Sequence, residues 1–220
     1  MKYLSSILIA LCLSFSTPVF AGNVNNLSAK DALLQLKIGN QHFQKMQLLH
    51  PDQNVKRREN LIKAQHPFAV ILTCSDSRVP PSIIFDQGLG DLFEIRNAGN
   101  VLDKHVIGSI EYAVVHLGVK LVIIMGHEDC GAVTATLNNV QESDFISSLT
   151  DSIKPALDLY NKNPKGDKLV STIKNNAILN QQLLIKSDSI LQDYIKNKGL
   201  KIIPAYYHLD SGKVEFLMDK

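Results

Sequence analysis

The hydrophobic pattern of this chain alternates short apolar runs with segments in which apolar residues recur at helical spacing. Three runs of the length of a buried strand predict strands at Phe68–Thr73, Asp91–Arg96 and Lys120–Met125. A helix is predicted over Asp103–Leu117, where apolar residues recur every three or four positions, and Gly118 suits its C-terminal cap. Because helices separate the strands, the strands are expected to run parallel, with the helices as crossovers.

The remaining segments predict further helices and a hairpin at the end of the chain. Helices are predicted at four places: after a cap at Ser28, ending near Gln65, around Ser82–Phe85 and, as two or three helices, within residues 131–199. Lys201–Leu209 and Lys213–Leu217, joined by a turn at residues 210–212, predict an antiparallel hairpin. The expected fold class is therefore α/β, with a central mostly parallel sheet, an antiparallel edge and flanking helices.

The N-terminus has the layout of a secretory signal peptide. Lys2 precedes an apolar stretch that ends at Phe15, and small residues stand three and one positions before a cut after Ala21. A membrane anchor is the alternative, but the stretch is short against the roughly 20 residues that a span needs. We therefore expect residues 1–21 to be a signal peptide of an exported protein, periplasmic or secreted. Residues 22–220 are then one domain, with no membrane association after cleavage.

The charge balance argues against partners of strong opposite charge. The chain has 23 Lys and Arg residues against 21 Asp and Glu residues, and the signal segment carries Lys2 without an acidic residue. The mature chain is therefore nearly neutral, which argues against binding to nucleic acid or to an anionic membrane. A mature chain of about 200 residues is long enough for one domain with a substantial core.

Two cysteines and one histidine follow predicted strands and have the chemistry of metal ligands. Cys74 follows the first strand, and His127 and Cys130 follow the third, at the sheet edge where ligands bind in open parallel sheets. Two thiolates and an imidazole suit Zn²⁺, and three protein ligands with one open position are typical of catalytic zinc. In an exported protein a Cys74–Cys130 disulfide is the alternative, but a disulfide would leave His127 without a role.

Three sequence blocks carry a resemblance to a known family. They are residues 74–78 (Cys-Ser-Asp-Ser-Arg), residues 96–100 (Arg-Asn-Ala-Gly-Asn) and residues 126–131 (Gly-His-Glu-Asp-Cys-Gly). In order and approximate spacing they resemble the signature blocks of the β-class carbonic anhydrases, and the similarity runs from about Leu27 to the C-terminal strands. The paired Cys-x-Asp-x-Arg and His-x-x-Cys blocks are a far more specific signal together than either is alone.

This resemblance implies a fold, an activity and an assembly. The fold is an α/β sheet of four parallel strands with an antiparallel fifth, built as an obligate dimer, so that a homodimer or homotetramer is expected. The activity is the zinc-dependent reversible hydration of carbon dioxide to bicarbonate and a proton by attack of zinc-bound hydroxide, with one Zn²⁺ per subunit. Two alternatives stay open, namely hydrolysis of carbon disulfide or carbonyl sulfide at the same zinc site, and a non-catalytic zinc protein.

Asp76 and Arg78 are the candidate catalytic residues beside the zinc ligands. Asp76 is expected either to act as a fourth ligand that closes the metal or to accept a hydrogen bond from the zinc-bound hydroxide. The resemblance implies that both states occur, with an Asp–Arg ion pair holding the open one. Arg78 can bind a carboxylate through two parallel hydrogen bonds. A plain surface ion pair is the alternative.

The resemblance also indicates a substrate pocket and one departure from the family pattern. Gln65, Phe93 and Tyr112 match substrate-binding positions of plant-type members, partly contributed by the neighbouring subunit, although each also suits an ordinary loop or core position. Members regulated by bicarbonate carry a tryptophan three residues before the first cysteine ligand, where this chain has Ile71 and no tryptophan elsewhere. We therefore expect a plant-like subtype without the inhibitory bicarbonate pocket. Its resting metal site is expected to be open at neutral pH.

Overall fold

A computed structural model of the chain describes residues 27–140, 142–187 and 189–217. The predicted signal peptide, residues 1–21, lies outside the described residues, and export stays a prediction. In the described part of the chain, none of the helices combines the length and the apolar character that crossing a bilayer requires.

Five strands form one sheet that brings the candidate ligands to the same edge. The strands are β1 (Ala69–Thr73), β2 (Leu92–Arg96), β3 (Leu121–His127), β4 (Lys201–Tyr207) and β5 (Val214–Phe216). Their order is β2-β1-β3-β4-β5, in which β2, β1, β3 and β4 run parallel and β5 pairs antiparallel with β4. This confirms the predicted α/β fold class with four parallel strands and an antiparallel edge strand.

The register of β1 against β3 aligns the chain segments that carry the ligands. Thr73 pairs with Met125, and the Thr73 hydroxyl donates a 3.0 Å hydrogen bond to the Met125 carbonyl oxygen. Cys74 therefore leaves the sheet beside the last two residues of β3. His127 is itself part of β3, which runs two residues further than predicted because Gly126 and His127 pair with Tyr206 and Tyr207 of β4.

Eight helices occur in the described residues, and several differ from the predicted bounds. They are α1 (Ala29–Gln44), α2 (Val55–Asn60), α3 (Pro81–Ile84), α4 (Lys104–His116), α5 (Gly131–Leu137), α6 (Asp144–Lys162), α7 (Lys168–Ser187) and α8 (Ser189–Asn197). The Ser28 hydroxyl caps α1 as predicted, by accepting a hydrogen bond from the Asp31 N–H. The prediction of a helix ending near Gln65 was wrong, since α2 ends at Asn60. The described part of residues 131–199 contains four helices rather than two or three.

The sheet divides the core into two layers, one on each of its faces. Successive side chains of a strand point to opposite faces of the sheet. Ile71 and Ile123 accordingly pack in one layer, against α1 and α3, whereas Val70 and Val122 pack in the other, against α4 and α8. Every residue of β1 and β3 is buried. This burial holds the strand ends, and with them the candidate ligands, in a rigid frame.

Candidate metal centre

Cys74, His127 and Cys130 form one buried group at the carboxyl edge of the sheet. Cys74 follows β1, His127 ends β3, and Cys130 is the residue directly before α5. Their sulfur and ring nitrogen atoms all lie within 4.8 Å of one another, and all three residues are buried. Both cysteines are free thiols, so the alternative of a Cys74–Cys130 disulfide was wrong in this structure.

The hydrogen bonding of His127 leaves one ring nitrogen available to a metal. Its Nδ1 lies 2.8 Å from the Glu128 carbonyl oxygen, which can only accept, so Nδ1 carries the proton. Nε2 is then a lone-pair donor, and it is buried without a hydrogen-bond partner among the described residues. A buried polar atom without a partner is costly. A cation between Nε2 and the two sulfurs would satisfy it, so the donor set fits a metal ion.

The contact between the two thiols shifts their pKa values in opposite directions. The contact with Cys130 is the main cause that lowers the pKa of Cys74 to about 4, the Gly99 N–H contributes less, and burial opposes the shift. The same contact and burial raise the pKa of Cys130. A metal ion that binds both sulfurs as thiolates must displace the protons that they carry.

Asp76 and Arg78 form the predicted ion pair beside this group. Arg78 donates from Nε to Oδ1 at 2.9 Å and from Nη2 to Oδ2 at 2.8 Å, a bidentate geometry. These hydrogen bonds hold the pKa of Asp76 well below its usual range. Oδ2 of Asp76 also lies 4.0 Å from Nε2 of His127. The carboxylate is therefore held by Arg78 at the rim of the ligand group and stays ionised at neutral pH.

Three hydrogen bonds from the end of β2 and from the turn after it hold the loop of the first ligand. Arg96 donates from Nε to the Cys74 carbonyl oxygen at 3.1 Å and from Nη2 to the Asp76 carbonyl oxygen at 2.7 Å. The backbone N–H of Gly99 donates to Sγ of Cys74 at 3.3 Å. Both residues lie in the block of residues 96–100 that carries the family resemblance. The Gly99 contact could not be predicted, since a backbone N–H leaves no signal in the side-chain pattern.

The three predicted substrate-binding residues are one exposed loop residue and one pair of contacting aromatic side chains. Gln65 is exposed in the loop between α2 and β1. Phe93 and Tyr112 contact each other, with ring centroids 6.4 Å apart, and Tyr112 is 48% exposed on α4. Phe93 packs with the core layer on the sheet face opposite to Cys74. The structure thus brings Phe93 and Tyr112 together without joining them to this chain's ligands, and their role in substrate binding stays a prediction.

Comparison with known proteins identifies the family. The carbonic anhydrase family model matches residues 69–214. A carbonic anhydrase of Mycolicibacterium smegmatis is 41% identical over 199 residues, which is 88% of this chain and 94% of that protein. Two solved structures have TM-scores of 0.68. One, the β-carbonic anhydrase CafA of Aspergillus fumigatus, is 27% identical, with 86% of this chain and 89% of that chain covered. The other is one of two tetrameric β-carbonic anhydrases of Sordaria macrospora, 23% identical, with 74% and 86% covered.

These matches span the strands that carry the ligands and nearly the full length of the bacterial relative. The family match covers well over half of the chain, and the fold agrees with the solved structures of the class. The chain therefore belongs to the β-class carbonic anhydrases, which are lyases.

Proposed function

We propose that this chain catalyses the reversible hydration of carbon dioxide to bicarbonate and a proton with one Zn²⁺ per subunit. The observation that carries the proposal is the buried group of Cys74, His127 and Cys130, whose donor atoms lie within 4.8 Å of one another while Nε2 of His127 has no partner among the described residues. Membership of the family supports the reaction. Sulfur and nitrogen donors support zinc as the ion.

The three ligands would hold the ion and leave one coordination position open. Bound there, zinc supplies a Lewis acid that lowers the pKa of a water molecule to about 7 and so provides a nucleophile at neutral pH. The protein contributes the burial of the donors and the hydrogen bonds that orient them. The Glu128 carbonyl oxygen fixes the His127 tautomer, and the Gly99 N–H fixes the Cys74 sulfur.

Asp76 and Arg78 position the reacting groups. The carboxylate stays ionised because Arg78 binds it in a bidentate manner, and its Oδ2 faces the ligand group at 4.0 Å from Nε2 of His127. From this position it can accept a hydrogen bond from the attacking oxygen and orient its lone pair toward carbon dioxide. The ion pair would also keep Asp76 from binding the metal as a fourth ligand, so we expect the site to be open at neutral pH.

Substrate preference separates this function from hydrolysis of the sulfur analogues. In the zinc-loaded protein we expect rapid proton release from carbon dioxide and hydrogen sulfide release from carbonyl sulfide or carbon disulfide no faster than in buffer. Stopped-flow absorbance with a pH indicator and a sulfide assay on the same preparation measure both. Hydrogen sulfide release that exceeds carbon dioxide hydration would overturn the proposal in favour of the hydrolase.

A second copy of the chain completes the proposed substrate pocket. β2 is an edge strand, and an edge strand is a ready template for pairing with another chain. Leu89, just before β2, is 49% exposed and lines a cavity of about 770 Å³ together with Leu92 and Glu94. Phe93 and Tyr112 lie at the same edge, so pairing there would carry them toward the partner's site. We propose a homodimer, or a homotetramer built from such dimers.

A charge at this edge should therefore remove association and activity together. Leu89→Asp is expected to sediment as a monomer and to lose carbon dioxide hydration, because a charge cannot be buried unpaired in an interface. Leu183→Asp is the matched control, since Leu183 is equally exposed, at 50%, but lies on α7. Sedimentation velocity and stopped-flow hydration on both variants test this. A monomeric and fully active Leu89→Asp protein would contradict the shared site.

A further inference from the structure

The turn that follows β2 supplies the backbone hydrogen bond to the Cys74 sulfur. This 3-10 turn spans Ala98–Asn100, and the N–H of its central residue, Gly99, donates to Sγ of Cys74 at 3.3 Å. Gly99 has φ +74°, and a Cβ atom there would lie 2.7 Å from Cδ1 of Ile153. A side chain at this position would therefore strain the backbone and clash. The donor is fixed by the conformation of the turn, so whatever holds the turn also holds the hydrogen bond.

Two buried asparagines of α7 hold the carbonyl groups of this turn. Nδ2 of Asn176 donates to the Gly99 carbonyl oxygen at 2.9 Å, and Nδ2 of Asn180 donates to the Asn100 carbonyl oxygen at 3.1 Å. The two asparagines lie one helical turn apart and are only 2% and 7% exposed. Burying an amide costs free energy unless it is hydrogen-bonded. The two carbonyl groups supply the hydrogen bonds that allow these amides to be buried.

α7 is itself fixed against the strand that carries His127. Ile173 of α7 packs on Gly126, where an added Cβ atom would lie 2.6 Å from Cγ2 of Ile173. Asn97 closes the base of the turn, because its side chain accepts from the Val101 N–H and donates to the Val101 carbonyl oxygen, both at 2.9 Å. The turn is thus held at its base by its own chain and at its tip by a helix anchored on β3.

We propose that Asn176 is a positioning residue of the metal centre. It acts through Gly99, which it holds so that the N–H stays directed at the Cys74 sulfur. This hydrogen bond withdraws electron density from the thiolate and fixes where the sulfur meets the metal, as outer-shell partners of metal ligands do. Asn180 donates to the next carbonyl along and, at 3.4 Å, to Oδ1 of Asn176, so it supports Asn176 but does not itself donate to the Gly99 carbonyl oxygen. The inference rests on the proposed metal site.

Cobalt substitution separates this role from a purely structural one. Asn176→Ala and Asn180→Ala each remove one buried amide from the same helix, and each should lower the thermal unfolding temperature. With Co²⁺ bound, the thiolate-to-metal charge-transfer band of Asn176→Ala should shift to longer wavelength, because a sulfur without its hydrogen bond gives up electron density more readily. Its Co²⁺ affinity should fall about 10-fold or more. The band of Asn180→Ala should shift less, because Asn176 keeps its hydrogen bond to the Gly99 carbonyl oxygen in that variant.

The outcomes distinguish the inference from the proposed function. A band position and Co²⁺ affinity of Asn176→Ala equal to wild type, or the same shift in both variants, would overturn the positioning role while the metal site stands. Wild-type protein that binds no Co²⁺ would overturn the metal site and the positioning role together. Should Asn176→Ala fail to fold, the same spectra are recorded on Asn176→Ser, whose side chain is shorter than that of asparagine.

Discussion

Cys74→Ser protein is expected to lose both its zinc and its carbon dioxide hydration. Serine keeps the size of the side chain but presents a neutral hydroxyl in place of the thiolate that zinc prefers. Loss of an outer-shell partner already costs about 10- to 100-fold in metal affinity or activity, so loss of a ligand should cost more than 100-fold. Zinc per subunit after dialysis and stopped-flow hydration are the two measurements.

Ser75→Ala is the control for the Cys74 variant. Ser75 is the next residue of the same segment and its side chain is exposed, so this variant should keep both zinc and activity. Circular dichroism of both variants verifies that they are folded. Hydration by Cys74→Ser at the wild-type rate would reject every function that depends on zinc at this site.

Arg78→Ala protein is expected to keep its zinc but to lose about 100-fold in carbon dioxide hydration at neutral pH. The substitution removes both side-chain hydrogen bonds to Asp76. The freed carboxylate, whose Oδ2 is 4.0 Å from Nε2 of His127, can then move onto the metal as a fourth ligand. X-ray absorption at the zinc edge should show an added oxygen ligand from the protein, and stopped-flow hydration gives the loss of rate.

Asp129→Asn is the matched control for Arg78→Ala. Asp129 is a second carboxylate beside Arg78, with its Oδ2 3.9 Å from Nη1 of Arg78. Its backbone has φ +55°, a conformation that asparagine also tolerates. Because Asp76 keeps its bidentate hydrogen bonds in this variant, activity should stay within a few-fold of wild type. Normal turnover by Arg78→Ala, with the zinc coordination unchanged, would refute the gating role of the ion pair.

The central strands could be predicted because burial on both faces leaves a continuous apolar run. Residues 69–73 and 121–125 are such runs, and both form buried strands. The last two residues of β3 could not be predicted, since glycine and histidine do not favour strands. They extend β3 because Tyr206 and Tyr207 pair with them, and this pairing joins segments 80 residues apart in the chain. Tertiary pairing decided the boundary where local propensity did not.

The helices between residues 131 and 199 were harder to count. α5 is seven residues long, which is too short to display a clear apolar periodicity. α7 ends at Ser187 and α8 begins at Ser189, and the sequence has neither proline nor glycine near these bounds to separate two helices. α6 continues through Pro155, a residue that ends or kinks most helices. Local signals were therefore weak or misleading throughout this segment.

The candidate ligands could be predicted from the sequence, but their supporting contacts could not. Cys74 and His127 stand at the ends of neighbouring strands, so strand assignment alone brings them together. The hydrogen bonds from Gly99 to Cys74 and from Asn176 to Gly99 join residues 25 and 77 positions apart. No periodicity encodes such contacts. They follow from the way α7 packs on the sheet, which only the three-dimensional structure reveals.

The central claim is that one zinc ion held by Cys74, His127 and Cys130 makes this chain a carbon dioxide hydratase. The direct test is a titration of the chelator-treated protein, from residue 22 onward, with Zn²⁺ while stopped-flow carbon dioxide hydration is measured at each addition. We predict that the rate rises linearly and reaches a plateau at one zinc per subunit. A rate that stays at the level of the buffer when one zinc is bound would contradict the account.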